Sequence, residues 1–265
     1  MDAVISAGAT PGKIDPLLRY AGAARKALIP IGGRPMIKCV TDALSGSRYV
    51  DRLIVVGLDE TCGVDFGPKP VIFVPQVGGL IANYTAGVER ALQDTADRDH
   101  VLIAACDVPL ITPAIVDDHL AGMLRTDHDV YYSIIRKETM LAKFPDSRRS
   151  YARLRDGVFC GGSLSLISAR VMDSRSRGLW DELLNRRKNV FRQASLIGLD
   201  VLLRLITGTL TLAAAEARAD RIIGVKCRAY VTEHAEIGMD VDKPFQLDIA
   251  REAIGRGDNE KPATS

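Results

Sequence analysis

The sequence predicts an α/β fold, with a mostly parallel central sheet flanked by helices, and three observations carry that prediction. Apolar runs of strand length alternate with stretches of helical periodicity, the mark of βαβ units. Hydrophobic residues are 47% of the 265 and aromatics only 5%, so Val, Ile, Leu and Ala must fill the core, as they do between a buried parallel sheet and its helices. The third observation is Val101-Leu-Ile-Ala-Ala-Cys-Asp107-Val-Pro-Leu-Ile-Thr112-Pro113, an apolar run that stops at a carboxylate before a helix start. There Thr112 is the expected N-cap and Pro113 the first helical residue.

The elements follow in order. Residues 2–6 read as a short strand ending at Ala7-Gly8, and a polar, Gly-rich loop runs from there to about Arg25. Pro35 to Leu44 reads as a helix, with proline in the first turn where a missing N–H costs nothing. Residues 52–57 and 70–75 are buried strands, and residues 79–95 carry helical spacing through Leu80, Tyr84, Val88, Ala91 and Leu92. Residues 137–157 are polar and hold Arg148, Arg149, Arg153 and Arg155, which suggests a flap leaving the sheet. Residues 178–221 read as helical, residues 222–241 as short strands, and Pro244 to Arg256 as a closing helix. One domain over 1–256 is expected, with 136–221 as acceptor-site flap and helical region and 257–265 as a disordered tail.

Composition excludes several classes. A formal charge of +2 and no basic tract interleaved with aromatics give no reason to expect nucleic acid. The apolar stretch near 193–215 is broken by Asp200 and Arg204, so no transmembrane span is expected there. The start lacks the basic and long apolar regions of a signal peptide. Cys39, Cys62, Cys106, Cys160 and Cys227 are odd in number and never spaced CxxC, which argues for reduced thiols and a cytoplasmic protein. His100, His119, His128 and His234 are scattered and read as surface or capping residues.

Two nucleotide fingerprints fail. Gly8 and Gly12 are separated by three residues and Ile14 stands where a P-loop needs Ser or Thr, and no GxGxxG follows the first strand. A different phosphate grip remains. Small residues Ala7, Gly8 and Ala9 after strand one would let backbone N–H groups approach a triphosphate. Asp107 lies at a strand's carboxyl end, where ligands gather in such sheets, although a carboxylate there also suits a turn. Asp240 and Asp242 would face one side of a strand and share a cation, or Asp242 would cap the helix at Pro244.

The ordered set Ile5-Ser-Ala-Gly8, Lys26-Ala-Leu-Ile-Pro-Ile-Gly-Gly-Arg-Pro-Met-Ile37, Ala105-Cys-Asp107-Val-Pro and Asp240-Val-Asp242-Lys-Pro244 resembles the MobA-like family of NTP transferases. That resemblance covers residues 1–135 and 222–256 well and 136–221 more loosely. It implies a Rossmann-like GT-A nucleotidyltransferase fold and Mg²⁺ as cofactor. By the family pattern, Asp107 and Asp242 hold the metal, with Asp240 as competitor for the second place, and Lys26 contacts phosphate. Gln76, Gly78, Gly79 and Asn83 fall where the family reads base and ribose, and Gly161-Gly162-Ser163 resembles the segment lining the acceptor site. The family's loop arginine is missing, which leaves Lys13, Arg19 or Arg25 to hold the leaving pyrophosphate.

The expected activity is transfer of an NMP group from an NTP to a small acceptor, a phosphate or a hydroxyl, with release of pyrophosphate. The chemistry needs positioning and charge rather than a side-chain nucleophile. The alternatives are a GT-A glycosyltransferase, or a non-catalytic nucleotide-binding module suggested by the altered first loop. The expected partners are the NTP and its acceptor. The apolar region 190–215 leaves core packing, a hydrophobic acceptor and a homodimer face open.

Overall fold

The computed structural model describes residues 1–8, 15–93, 100–172 and 198–259. Its centre is an eight-stranded sheet in the order β10-β7-β9-β6-β1-β4-β5, with β8 paired to β9. The strands are β1 (Asp2–Ser6), β4 (Arg52–Val56), β5 (Val71–Val74), β6 (His100–Ala105), β7 (Val130–Arg136), β8 (Ala152–Leu154), β9 (Gly157–Ser168) and β10 (Cys227–Thr232). β6, β1, β4 and β5 are parallel, as are β10 and β7, whereas β9 runs against both β6 and β7. The mostly parallel sheet expected from the sequence is therefore present, with one reversed strand at its middle.

β1 is buried along its whole length, because helices cover both of its faces. On one face Ala3, Ile5, Leu53, Val55, Leu102 and Ala104 pack under α2 (Met36–Gly46) and α4 (Pro113–Met123). On the other, Val4, Ile54, Val56, Val101 and Ile103 meet Val88 and Ala91 of α3 (Leu80–Gln93). Alternate residues of one strand thus serve two cores, which is why these segments read as continuous apolar runs. α4 begins as its sequence predicts: Thr112 is the N-cap, its hydroxyl accepting from Ile115 N, and Pro113 is the first residue.

A small hairpin joins the first loop to α2. β2 (Pro30–Ile31) pairs with β3 (Arg34–Pro35) across Gly32 and Gly33, whose φ angles of 56° and 76° suit a type I′ turn. The remaining helices are α1 (Pro16–Ala21), α5 (Lys137–Lys143), α6 (Leu199–Ile206), α7 (Leu212–Ile223) and α8 (Pro244–Asn259). α8 outlasts the expected helix end at Arg256 by three residues. The expectation for 257–265 otherwise falls on 260–265, outside the described residues, as does that for 178–197. Among the described residues no helix is long and apolar enough to cross a membrane. Cys39, Cys106, Cys160 and Cys227 are buried thiols and Cys62 is half-buried.

Candidate active site

The carboxyl ends of β1, β4, β5 and β6 bring four predicted segments to one edge. After β1, Ala7 continues the sheet: its N–H donates to Val56 O at 2.8 Å. That amide is spent on the fold, so of the three small residues expected to line a triphosphate, Ala7 offers none. Gly8 comes next, and Ala9 and Lys13 lie outside the described residues. Gly57, after β4, has φ +97°, and a Cβ there would lie 2.5 Å from Gly8 Cα. Two backbones meet with no side chain between them, and only glycine allows that approach.

Gln76 and Asn83 close around the same point. A Cβ on Gly8 would be 2.6 Å from Asn83 Nδ2 and 2.8 Å from Gln76 Oε1. Asn83 is buried, and its Oδ1 accepts from Val77 N at 3.1 Å and Gly78 N at 3.3 Å. Asn83 N in turn donates to Gly79 O at 3.0 Å. The side chain therefore folds the 76–79 loop onto the first turn of α3, and its amide nitrogen is the end that faces Gly8.

Lys26 opens a 3₁₀ turn, Lys26–Leu28, anchored by the fully buried Ala27 and Ile29. Its Nζ lies 2.5 Å from Asp107 Oδ2 and 2.5 Å from Asp242 Oδ1. Asp107 follows β6; Asp242 is brought to it because Val241 N donates to Asp107 O at 2.9 Å and Val241 is fully buried. Burial works to lower the Lys26 pKa, but the two carboxylates outweigh it and raise the ammonium above its ordinary value. Neighbouring Cys106 is pushed up to about 12 by burial, with Asp107 adding to the rise, so its thiol stays protonated and is no nucleophile.

The segment 239–243 is not the strand the sequence suggested. It is irregular, and the two carboxylates diverge: Asp242 goes to Lys26, while Asp240 is ion-paired with the Arg149 guanidinium. Gln246 Oε1 accepts from Asp242 N at 3.0 Å, so the helix reaches back to hold the loop. The i, i+2 rule for one face applies to extended chain, and Val241 packing inward breaks it here.

The residues fit a hard divalent cation. Asp107 and Asp242 converge on one cationic atom, and Asp107 Oδ1 is buried without a hydrogen-bond partner. Among the described residues no group of three or more His, Cys, Asp or Glu is placed to hold a metal ion. Two carboxylates, completed by phosphate oxygens and water, are the donor set Mg²⁺ prefers.

Gly161, Gly162 and Ser163 belong to β9. Since Leu164 pairs with Ala104, Ser163 stands beside Ala105, close to the start of the Asp107 turn. Three residues escaped the sequence reading as site residues in their own right: Arg149, Tyr132, whose hydroxyl fills the space a Gly161 Cβ would need, and Arg25 as a fixed rather than optional group. Arg25 Nη1 donates to Gly57 O, beside Gly8. The Arg148–Arg155 cluster was the available signal for Arg149, but sequence does not say which of four arginines turns inward. His119 also departs from expectation, being buried rather than superficial.

The fold is shared with known proteins. A structure described as a hypothetical transferase from Thermus thermophilus is similar at a TM-score of 0.78 and 36% identity, covering 93% of this chain and 98% of that one. The 4-diphosphocytidyl-2C-methyl-D-erythritol synthase of Anaerococcus prevotii DSM 20548 shares the fold at a TM-score of 0.60, with 14% identity and 96% of both chains covered. Bifunctional protein GlmU of Sinorhizobium fredii (strain NBRC 101917 / NGR234) is 28% identical over 227 residues, which span 80% of this chain but 47% of that protein. The chain thus spans about half the length of the curated relative it matches. The architecture is that of GT-A-like nucleotidyltransferases. The MobA-like NTP transferase domain matches residues 18–182, more than half of the sequence. The chain belongs to that family.

Proposed function

We propose that this chain transfers an NMP group from an NTP to a small acceptor in a Mg²⁺-dependent reaction. An acceptor oxygen, of a phosphate or a hydroxyl, bonds to the α-phosphorus, the bond from that phosphorus to the β-phosphate oxygen breaks, and pyrophosphate leaves. The observation that carries this reading is the meeting of Lys26, Asp107 and Asp242 at the sheet edge where β1 and β6 end together. Mg²⁺ bound by Asp107 and Asp242 would supply charge neutralisation at the transferring phosphoryl group.

The chain's own residues do the rest. Lys26 is permanently charged at neutral pH and stays within reach of the phosphates when its carboxylates turn to the metal. The Gly8–Gly57 contact lets the triphosphate lie against backbone rather than side chains. Arg25, whose guanidinium donates to Gly57 O beside Gly8, takes the place of the family's loop arginine in preference to Arg19 on α1. Gln76, Gly78, Gly79 and Asn83 read the base and ribose, and Gly161, Gly162 and Ser163 line the acceptor side. The asymmetric carboxylates favour Asp242 over Asp240 as the second metal ligand, because Asp240 is engaged by Arg149.

Thermal melting with each of the four NTPs, with and without Mg²⁺, tests this reading, since a ligand selective for the native state raises stability by mass action. At least one NTP should stabilise the protein only when Mg²⁺ is present. No stabilisation by any NTP·Mg²⁺ would sink it.

A further inference from the structure

Lys26 stands where the two carboxylates assigned to the metal converge. Its Nζ lies 2.5 Å from Asp107 Oδ2 and 2.5 Å from Asp242 Oδ1. A Mg²⁺ ion held by the same two oxygens would need each of them at about 2.0–2.1 Å. Ammonium and ion therefore compete for one place, and the site holds one or the other.

The anchoring shows which group has to move. Asp107 is fixed through its carbonyl oxygen, which accepts from Val241 N at 2.9 Å, and Asp242 through its N–H, which donates to Gln246 Oε1 at 3.0 Å. The backbone at Lys26 is fixed as well: Ala27 and Ile29 are fully buried, and Ile29 O accepts from Met36 N at 2.8 Å. What remains free is the flexible stem of the lysine, whose point charge can swing without any backbone shift.

Charge decides when it swings. Two carboxylates and one ammonium make a cluster that is net negative by a single charge. A free divalent ion entering alone must send the ammonium into water without a new partner. It also finds no third ligand, since among the described residues no group of three or more His, Cys, Asp or Glu is placed to hold a metal ion. Two protein oxygens are a weak set for an ion that gives up its water reluctantly. An ion brought by a nucleoside triphosphate meets neither obstacle. Its remaining ligands are phosphate oxygens, and the same phosphates give Lys26 a new anionic partner. Asp107 is prepared for the exchange: its Oδ1, which the ammonium does not reach, is buried with no hydrogen-bond partner.

We propose that Lys26 closes the metal site to free divalent cations, so that the ion enters only as a metal–NTP complex whose phosphates draw the ammonium off Asp107 and Asp242. This rests on the transferase reading above and specifies the form in which its nucleotide substrate binds. Metal and triphosphate are then bound together or not at all, and Lys26 is the link between them.

The probe is Mn²⁺ alone, titrated into the full-length chain without nucleotide, with the free ion followed by electron paramagnetic resonance. K26M removes the charge and keeps a stem, K26R keeps the charge, and K26M/D107N removes one carboxylate as well. The wild type should bind Mn²⁺ no tighter than about 5 mM, and K26M at least about tenfold tighter, because both carboxylates are then free to ligate. K26R should behave as the wild type, and K26M/D107N should lose the gain. Melting gives a matching readout: Mg²⁺ alone should stabilise K26M and leave the wild type unchanged. K26Q, with a neutral polar side chain, repeats the comparison where K26M melts too low to titrate. Equal Mn²⁺ affinity in the wild type and the neutral variants would overturn the proposal. So would a gain in K26M that survives D107N, since the ion would then lie elsewhere. Melting of the wild type with NTP·Mg²⁺ separates the two readings: no stabilisation by any NTP rejects the transferase reading, whereas stabilisation with equal Mn²⁺ affinities rejects this one alone.

Discussion

The two halves of the sheet meet at the seam between β6 and β9, and they are built on different principles. On the β1–β4–β5 side every strand runs the same way, and backbone and short side chains meet at the carboxyl ends: Gly8 against Gly57, Asn83 folding its own loop, Lys26 between two carboxylates. On the β7–β9 side the reversed β9 brings the amino-terminal part of a strand to that same edge. There the prominent groups are long side chains, Tyr132 on β7 and Arg149 on a strained loop. Under the proposed function the contrast is a division of labour: a constant chemical element, the triphosphate, would be met by backbone and by a rigid charge triad. The variable partner would be met by side chains outside the parallel core.

The largest effect that separates the halves belongs to Asp107. D107N should reduce nucleotidyl transfer on the order of a thousandfold or more and abolish Mg²⁺-dependent stabilisation by NTP, because loss of a metal-binding carboxylate removes several kcal/mol of charge stabilisation. Its melting temperature without ligand should change little, because Lys26 keeps Asp242 as its ion-pair partner and Asp107 Oδ1 has no hydrogen bond to lose. An active D107N would assign Asp107 to the turn alone and dissolve the nucleotide half as described.

Asp242 and Asp240 come next, because two residues apart they serve opposite halves. D242N should cost catalysis about a hundredfold, with little loss of stability, since the Asp242 side chain is 57% exposed. D240N leaves the Arg149 charge buried without its partner, so it should destabilise by about 3–5 kcal/mol while NTP·Mg²⁺ binding persists in the folded fraction. Parallel urea unfolding and nucleotide titration read both. Equal stability losses in the two variants would erase the division drawn here.

Lys26 sharpens the nucleotide side alone. K26A should weaken NTP binding about ten- to a hundredfold, the worth of a charge-assisted hydrogen bond or two, and NMP binding by much less. Calorimetric titration with both nucleotides measures the difference. A matching loss for NTP and NMP would place the ammonium at the base or ribose.

How much of this was legible in sequence follows the same seam. β1, β4, β5, β6, α2 and the cap of α4 were readable because a parallel strand buried on both faces leaves an uninterrupted apolar run and each helix start carries its own punctuation. The meeting of Lys26 with Asp107 and Asp242 was anticipated only as a family pattern, for nothing in the spacing of residues 26, 107 and 242 implies contact. β9 was missed as a strand. Its Gly-Val-Phe-Cys-Gly-Gly-Ser-Leu alternates weakly and its paired glycines look like a turn. In the fold they are required by neighbours: a Cβ on Gly161 would strike the Tyr132 hydroxyl, and one on Gly162 would lie 2.9 Å from Ile237 Cγ2. Such demands come from tertiary packing and leave no local periodicity to read. The divergence of Asp240 and Asp242 was hidden for the same reason, since it depends on Val241 being drawn into a core assembled from α1, α2, the hairpin and α8.

The smallest expected effect lies at His119, and it concerns stability on the β7–β9 side without touching the chemistry. The imidazole is 1% exposed, with Nε2 2.7 Å from Ser133 Oγ and its ring edge-on to Tyr230 at 5.1 Å. The Ser133 hydroxyl donates to Leu164 O, so toward His119 it accepts, and Nε2 carries the proton while Nδ1 stays bare. Burial, reinforced by His234, pushes the His119 pKa down to about 3. Native His119 is therefore neutral across the range in which an unfolded histidine, with its ordinary value near 6.5, takes up a proton. The unfolded chain binds more protons between those two values, so this histidine's contribution to stability is complete above about pH 6.5 and declines as pH falls toward 3. Between pH 6 and pH 5 the decline is about 1 kcal/mol. H119Q, which keeps a side chain able to donate to Ser133, should be somewhat less stable at pH 7 but should lose about 1 kcal/mol less than the wild type over that interval, measured by urea unfolding at the two pH values. Other groups titrate there in both proteins and cancel in the difference. Identical acid slopes would mean that His119 takes up its proton as readily in the fold as in the unfolded chain, and its description as a buried neutral imidazole would fail.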